Sequence, residues 1–286
     1  MADFFKSRLF WISLCIVVVA STLPLYVSGY VLGLLTVAYY FGVFAMSWDL
    51  LFGFAGEVNF GPTFLIGVGA YTAGILNNEY GWSVYLCIFL GAMASVIAGF
   101  VLALPALRVR GPYFGLTTLV AVLMLQNFIV VFASLTGGEI GLTIPDVITI
   151  DAGANYWIAL GFMTVSAIIL YGLSQSPVGL VLQASGQDPV QAGALGFNIV
   201  KHKLAAFVVS AFFSGLSGAL LVFYFGTASV GTVVDIAVGV QVIVAGEFLR
   251  PTGELATFIV STVALLVILF FPNGFLGAAL SHGARQ

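Results

Sequence analysis

The residues of this chain that could do chemistry gather where glycine and proline interrupt long apolar runs. Residues 53 to 62 read Gly-Phe-Ala-Gly-Glu-Val-Asn-Phe-Gly-Pro. Glycine frees the backbone there, and Pro62 removes an N–H donor. In lipid the released N–H and C=O groups must find partners. Such a stretch therefore lines the path of a polar solute or, in the plainer reading, lets helices pack closely. Gly56, Glu57, Asn59 and Gly61 are its candidate pathway residues. An acidic side chain at membrane depth costs at least ~2–3 kcal/mol and normally faces a cavity or a partner. Gln126 and Asn127 stand inside a later apolar run and can bond across helices, as glue or as pathway. Gln241 and Glu247, in a shorter and more polar run, complete this set.

A second group lies in the connector between residues 175 and 203. Asp188 can cap a short helix that starts at Pro189, contains Gln191, Ala192 and Gly193, and closes at Gly196. A short capped helix of this kind docks into a partner's groove or lies on the membrane surface.

Other chemistries lack their residues. The chain has three lysines, Lys6, Lys201 and Lys203, and none follows a phosphate-cradling glycine loop, so it holds no Walker motif for ATP. His202 and His282 are far apart and stand without clustered ligands, so no metal or other cofactor is expected. No G-x-S-x-G elbow occurs, and no histidine lies inside an apolar run to serve a nucleophile. An enzyme is not expected. The net charge of -3 offers no footprint for nucleic acid. Cys15 and Cys87 both lie in apolar runs and suggest no disulfide framework.

The elements that must position the candidates are membrane spans. Only 7% of the 286 residues are charged and 61% are hydrophobic. A soluble fold could not cover its surface with so few charges, and disorder needs the opposite composition. Apolar segments run near Leu9–Val27, Tyr30–Phe52, the glycine-broken Gly53–Leu76, Val84–Leu107, Pro112–Leu135, Tyr156–Leu173, Leu204–Phe225 and Thr252–Phe271. Each suits a tilted helix through a hydrocarbon core of about 30 Å. Val233–Phe248 is shorter, holds Asp235, Gln241 and Glu247, and reads as re-entrant or broken. The expected fold is an all-α polytopic transmembrane helical bundle, with about eight spans plus this re-entrant or broken segment, in one domain over residues 1–286.

The start of the chain imitates a signal peptide, but the run from Leu9 to Val27 is long enough to span and is expected to be retained. Lys6 and Arg8, Arg108 and Arg110, and Lys201 and Lys203 fall on one side if the glycine-broken stretch crosses. By the positive-inside rule that side, with the N-terminus, is cytoplasmic. The loop from Thr136 to Asn155 has three acidic residues and no basic one, and is placed outside. Ala55-Gly56-Glu57 recurs as Ala245-Gly246-Glu247, a faint echo of the paired halves of transporter folds or a coincidence in a chain rich in glycine and alanine.

Several ordered motifs resemble the permease family of branched-chain amino acid ABC transporters, over about Ser47 to Gly277. They are Ser47 to Gly56 with Gly67-Val68-Gly69-Ala70-Tyr71-Thr72-Ala73, Arg110 to Leu119, Leu135 to Leu142, Leu195-Gly196-Phe197-Asn198 with Lys203 to Leu220, and Phe271 to Gly277. The resemblance implies an uptake system of the prokaryotic inner membrane. A binding protein outside the membrane would deliver a small polar solute, two similar permeases would form the path, and separate ATPase subunits would drive it. It also implies that Gly179 to Lys203, Lys201 included, is the segment that meets the ATPase. Branched-chain or other hydrophobic amino acids are the expected solutes, with urea or short amides as the alternative. An ion-driven carrier or channel, or a non-transporting scaffold, is the alternative class. This chain departs from the family in two places. Leu180, Gln183, Gly186, Gln187 and Gly193 replace the usual charges of the coupling loop, and Glu247 falls where small residues are expected.

Overall fold

The computed structural model describes residues 17–107 and 112–240. The Thr252–Phe271 run, Gln241, Glu247, the Ala245-Gly246-Glu247 echo, Arg108, Arg110, the first part of the Leu9 run and the closing motif lie outside the described residues.

The described chain is mainly helical. Helix α1 spans Gly29–Asp49, α2 Pro62–Tyr80, α3 Val84–Ala106 and α4 Pro112–Val131. A single turn, α5, covers Ala133–Thr136, and α6 covers Ala152–Ser174. Two short helices, α7 (Pro177–Gln187) and α8 (Pro189–Ala194), lead into α9 (Ile199–Phe225). Among the described residues five segments are long and apolar enough to cross a membrane: Gly29–Phe54, Val84–Ala106, Tyr113–Val131, Ala152–Ser174 and Ile199–Phe225. Helix α2 is comparable in length, but its glycines and the Asn77-Asn78-Glu79 end dilute its apolarity.

Helix α9 is the axis of the bundle and packs on α1, α2 and α3. Small residues allow this. A methyl group at Gly69 would strike the backbone of Gly215, and one at Gly218 the backbone of Ile66. With no hydrophobic drive between helices in lipid, such close van der Waals packing and interhelical hydrogen bonds supply the cohesion. Ser47 Oγ lies 2.8 Å from Ser214 Oγ, Ser217 Oγ donates to Tyr40 O at 2.7 Å, and Ser95 Oγ donates to Leu65 O at 2.8 Å.

The two ends of α9 differ. At its C-terminal end the chain forms a two-stranded antiparallel ribbon, β1 (Leu142–Thr143) with β2 (Thr227–Ala228). Asn77 Nδ2 joins the same end by donating to Asp146 Oδ2 at 2.8 Å and Trp82 O at 2.9 Å. At its N-terminal end lie α7 and α8. The 27 residues of α9 separate these ends by about 40 Å.

Two boundaries move from the sequence expectation. Helix α9 starts at Ile199 rather than Leu204, because Asn198 caps it by accepting from Lys201 N at 3.0 Å. Lys201 and Lys203 are therefore helical. The connector 175–203 is itself built of helices, and α7 adds to the expected α8; Ser176 and Pro177 start it, with the Ser176 side chain accepting from Gly179 N.

Candidate functional site

Beyond Asp49, helix α1 widens into a π-helical turn, Leu50–Phe54. Inserted turns of this kind concentrate at functional sites. Both Ala55 N and Glu57 N then donate to Leu51 O at 3.1 Å, which stops the helix. Gly56 takes φ +67, a conformation that a side chain would strain, and turns the chain. Residues 57 to 61 run without helix until Pro62 opens α2.

This break is held from several sides. Trp48 Nε1 donates to Asn59 O at 2.8 Å, and the indole stacks on Phe52 at 4.8 Å between centroids. Asn59 is buried, and its Oδ1 accepts from Gly61 N at 2.9 Å. Phe60 N donates to Thr118 Oγ1 of α4 at 3.1 Å. Gly61 lies so close to the Thr118 carbonyl that any side chain would collide with it. Thr118 stands six residues inside α4, so the break reaches about 9 Å along that helix. The released backbone groups thus find partners on α1, α4 and within the break itself.

Glu57 does not stand alone at mid-membrane. It lies toward the α7–α8 end of the bundle, where Lys203 Nζ of α9 contacts its Oε1 at 2.5 Å. The side chains are only 11% (Lys203) and 17% (Glu57) exposed, so the pair is largely buried in the protein. Sequence alone gave no sign of this pair, since 146 positions separate its members. Beside it, Gly186 of α7 sits against the break. A methyl group built on Gly186 would come within 2.7 Å of Phe54 O, and one on Gly56 within 3.0 Å of Gly186 Cα. Leu182 and Ser185 of α7 are buried. One residue of the pathway set and one of the coupling set are therefore in direct contact, and a glycine pair fastens the two segments next to them.

The remaining candidates are dispersed. Gln126 is half-buried and donates through Nε2 to Val234 O at 3.1 Å. Val234 ends a second π-helical turn, Val230–Val234, and a helical stretch resumes after Asp235. Gln126 thus satisfies the other broken segment rather than the first. Asn127 is exposed, bonds back to Leu123 O of its own helix at 2.8 Å, and lines an outer groove of about 390 Å³ with Val120, Met124 and Phe128. It faces away from the break.

In the coupling set, Gly179 packs against the end of α6, where a side chain would strike Ser174 O. Asp188 Oδ1 accepts from Val190 N and Gln191 N at 2.9 and 3.0 Å and so starts α8. Ala192 is buried, while Gln191 and Gly193 are exposed. Gly196 turns the chain at φ +88, and Lys201 is exposed on α9. Among the described residues no group of His, Cys, Asp and Glu could hold a metal ion.

The described residues thus form a helical bundle with two broken segments, one fastened to a helical connector. A family model described as the permease component of the branched-chain amino acid transport system matches residues 30–281. The chain belongs to that family. It is 25% identical, over 95% of its length and 75% of the relative's, to the high-affinity branched-chain amino acid transport system permease protein LivM of Salmonella typhimurium. The LivM protein of Escherichia coli matches at 24% with the same coverage. A probable branched-chain amino acid transport permease protein LivM of Methanocaldococcus jannaschii is 23% identical over 65% of this chain and 66% of its own. No solved structure gives a significant match. The protein is a multi-pass membrane transport component and not a catalyst in its own right.

Proposed function

We propose that this permease is the membrane-crossing subunit of an ABC importer that carries branched-chain or other hydrophobic amino acids across the prokaryotic inner membrane. It crosses the membrane about eight times, with its N-terminus and the α7–α8 segment in the cytoplasm. Each of the relatives it matches is named as a branched-chain amino acid transport permease. Lacking a Walker motif, it takes its drive from separate ATPase subunits and works beside a second, homologous permease. A binding protein on the far side delivers the solute.

The observation that carries this reading is the seating of α7 on the broken helix, Gly186 against Phe54–Gly56. A cytoplasmic helix in backbone contact with a membrane break can pass a displacement from an attached ATPase to the solute path. The break supplies that path with Gly56, Glu57, Asn59 and Gly61, while α8 and the adjacent Lys201 present the face that meets the ATPase. Gln126 assists by holding the second break.

The test is twofold. A tagged chain purified from its native membranes should bring with it an ATPase bearing a Walker motif and a second permease. Cells lacking the chain should lose ATP-dependent uptake of labelled leucine and regain it with the gene. Recovery of the chain alone, or uphill uptake by the purified chain in vesicles without an ATPase, would overturn the reading.

A further inference from the structure

The Glu57–Lys203 contact has features that close packing alone does not require. It joins opposite charges that come from the break and from the foot of the axial helix, beside the place where Gly186 of α7 meets the break. Both side chains are largely buried, so each charge depends on its partner, and parting them is costly unless water or another group takes its place. Lysine is a compact, strongly hydrated charge on a flexible stem, suited to a contact that opens and closes more than to a fixed fork. The break is the kind of element that has alternatives. A π-helical turn, a positive-φ glycine and five non-helical residues are held by single hydrogen bonds to Trp48 and Thr118 rather than by the continuous ladder of the helices around them.

We propose that the Glu57–Lys203 pair is an electrostatic latch that fastens the 55–61 break to the foot of α9 and is released and remade as α7 moves. Glu57 and Lys203 are positioning residues. Neither needs to touch the solute; they decide where Asn59 and Pro62 stand. When the latch is shut, the break follows α7 and α9 as one body. Open, it frees the break from the foot of α9, so that the break can move with α7. A charge pair this buried destabilises the protein when only one partner is removed, so its role is tested by removing or exchanging both. The proposal rests on the reading of the chain as an importer subunit, but the latch itself can be examined on the protein alone.

The deciding variant is the neutral double substitution Glu57→Gln with Lys203→Met, which removes the pair and leaves no unpaired charge behind. Hydrogen exchange on the detergent-purified chain should then rise at least ~10-fold at residues 55–61 while the amides of α3 and α6 stay as in the wild type. In cells, uptake should fall at least ~10-fold while ATP hydrolysis by the assembled transporter continues. The charge-swapped Glu57→Lys with Lys203→Glu should restore both readouts toward wild type. Unchanged exchange at 55–61, or wild-type uptake by the neutral double variant, would overturn the latch. So would a swapped variant that restores neither readout. Absence of uptake by the wild-type protein would instead count against the importer reading, and the exchange experiment would still decide the latch.

Discussion

Trp48 shows how a single side chain can define the break. Its indole N–H satisfies the carbonyl of Asn59, a buried residue, at 2.8 Å. Trp48→Phe keeps an aromatic ring against Phe52 but leaves that carbonyl without its donor, which costs about 1–3 kcal/mol. Thermal unfolding in detergent should show a lower Tm, and uptake should fall as Asn59 shifts. Glycines can be sorted on the same footing. Gly61→Ala drives a methyl group into the Thr118 carbonyl and should lower the yield of folded protein in membranes. Gly161→Ala, in the middle of α6 with nothing near its missing side chain, should raise stability by roughly 0.5–1 kcal/mol. A comparison of detergent melting curves for the two variants checks the contrast. It separates glycines kept for contact from those that serve no packing role.

At the level of elements, α8 depends on its cap. Asp188→Ala removes the acceptor for two backbone N–H groups and costs about 1 kcal/mol, so hydrogen exchange in α8 should quicken roughly fivefold. Gly196 ends that segment at φ +88, which a β-branched side chain resists. Gly196→Val should therefore reorient α8 and lower uptake while ATP hydrolysis persists, a split read by measuring both in vesicles. Much of this was legible in the residues. Asp188-Pro189 announced the start of α8, and the lengths of the apolar runs located most of the long helices. Three features were not legible. Helix α7 is short and carries two glycines, which lower its helix propensity and mask its Ser176-Pro177 start. The first turn of α9 carries Lys201 and Lys203 and reads as loop until its Asn198 cap is seen. The π-helical turns leave no local signature; the Val234 carbonyl that ends the second finds its partner in distant Gln126. The Glu57–Lys203 pair is a product of topology, and Asn127 shows the converse, a polar residue at pathway spacing that the helix turns outward.

The molecule as a whole is organised around α9. Its small residues meet those of α2 and α3 so closely that one bulky substitution should be felt throughout. Gly215→Leu would thrust a side chain at Ser95 and separate three helices at once, so the protein should fail to accumulate in membranes, as measured by immunoblot of membrane fractions. The paired strands Leu142–Thr143 and Thr227–Ala228 add a further consequence. They stitch two distant parts of the chain across one pole of the bundle, and Asn77 with Asp146 reinforces the seam. The opposite pole has helices resting on a bend, clasped by a salt link. A body built this way is stiff where it is sewn and compliant where it is clasped, so its strokes should open like tweezers, pivoting about the ribbon and spreading at the foot.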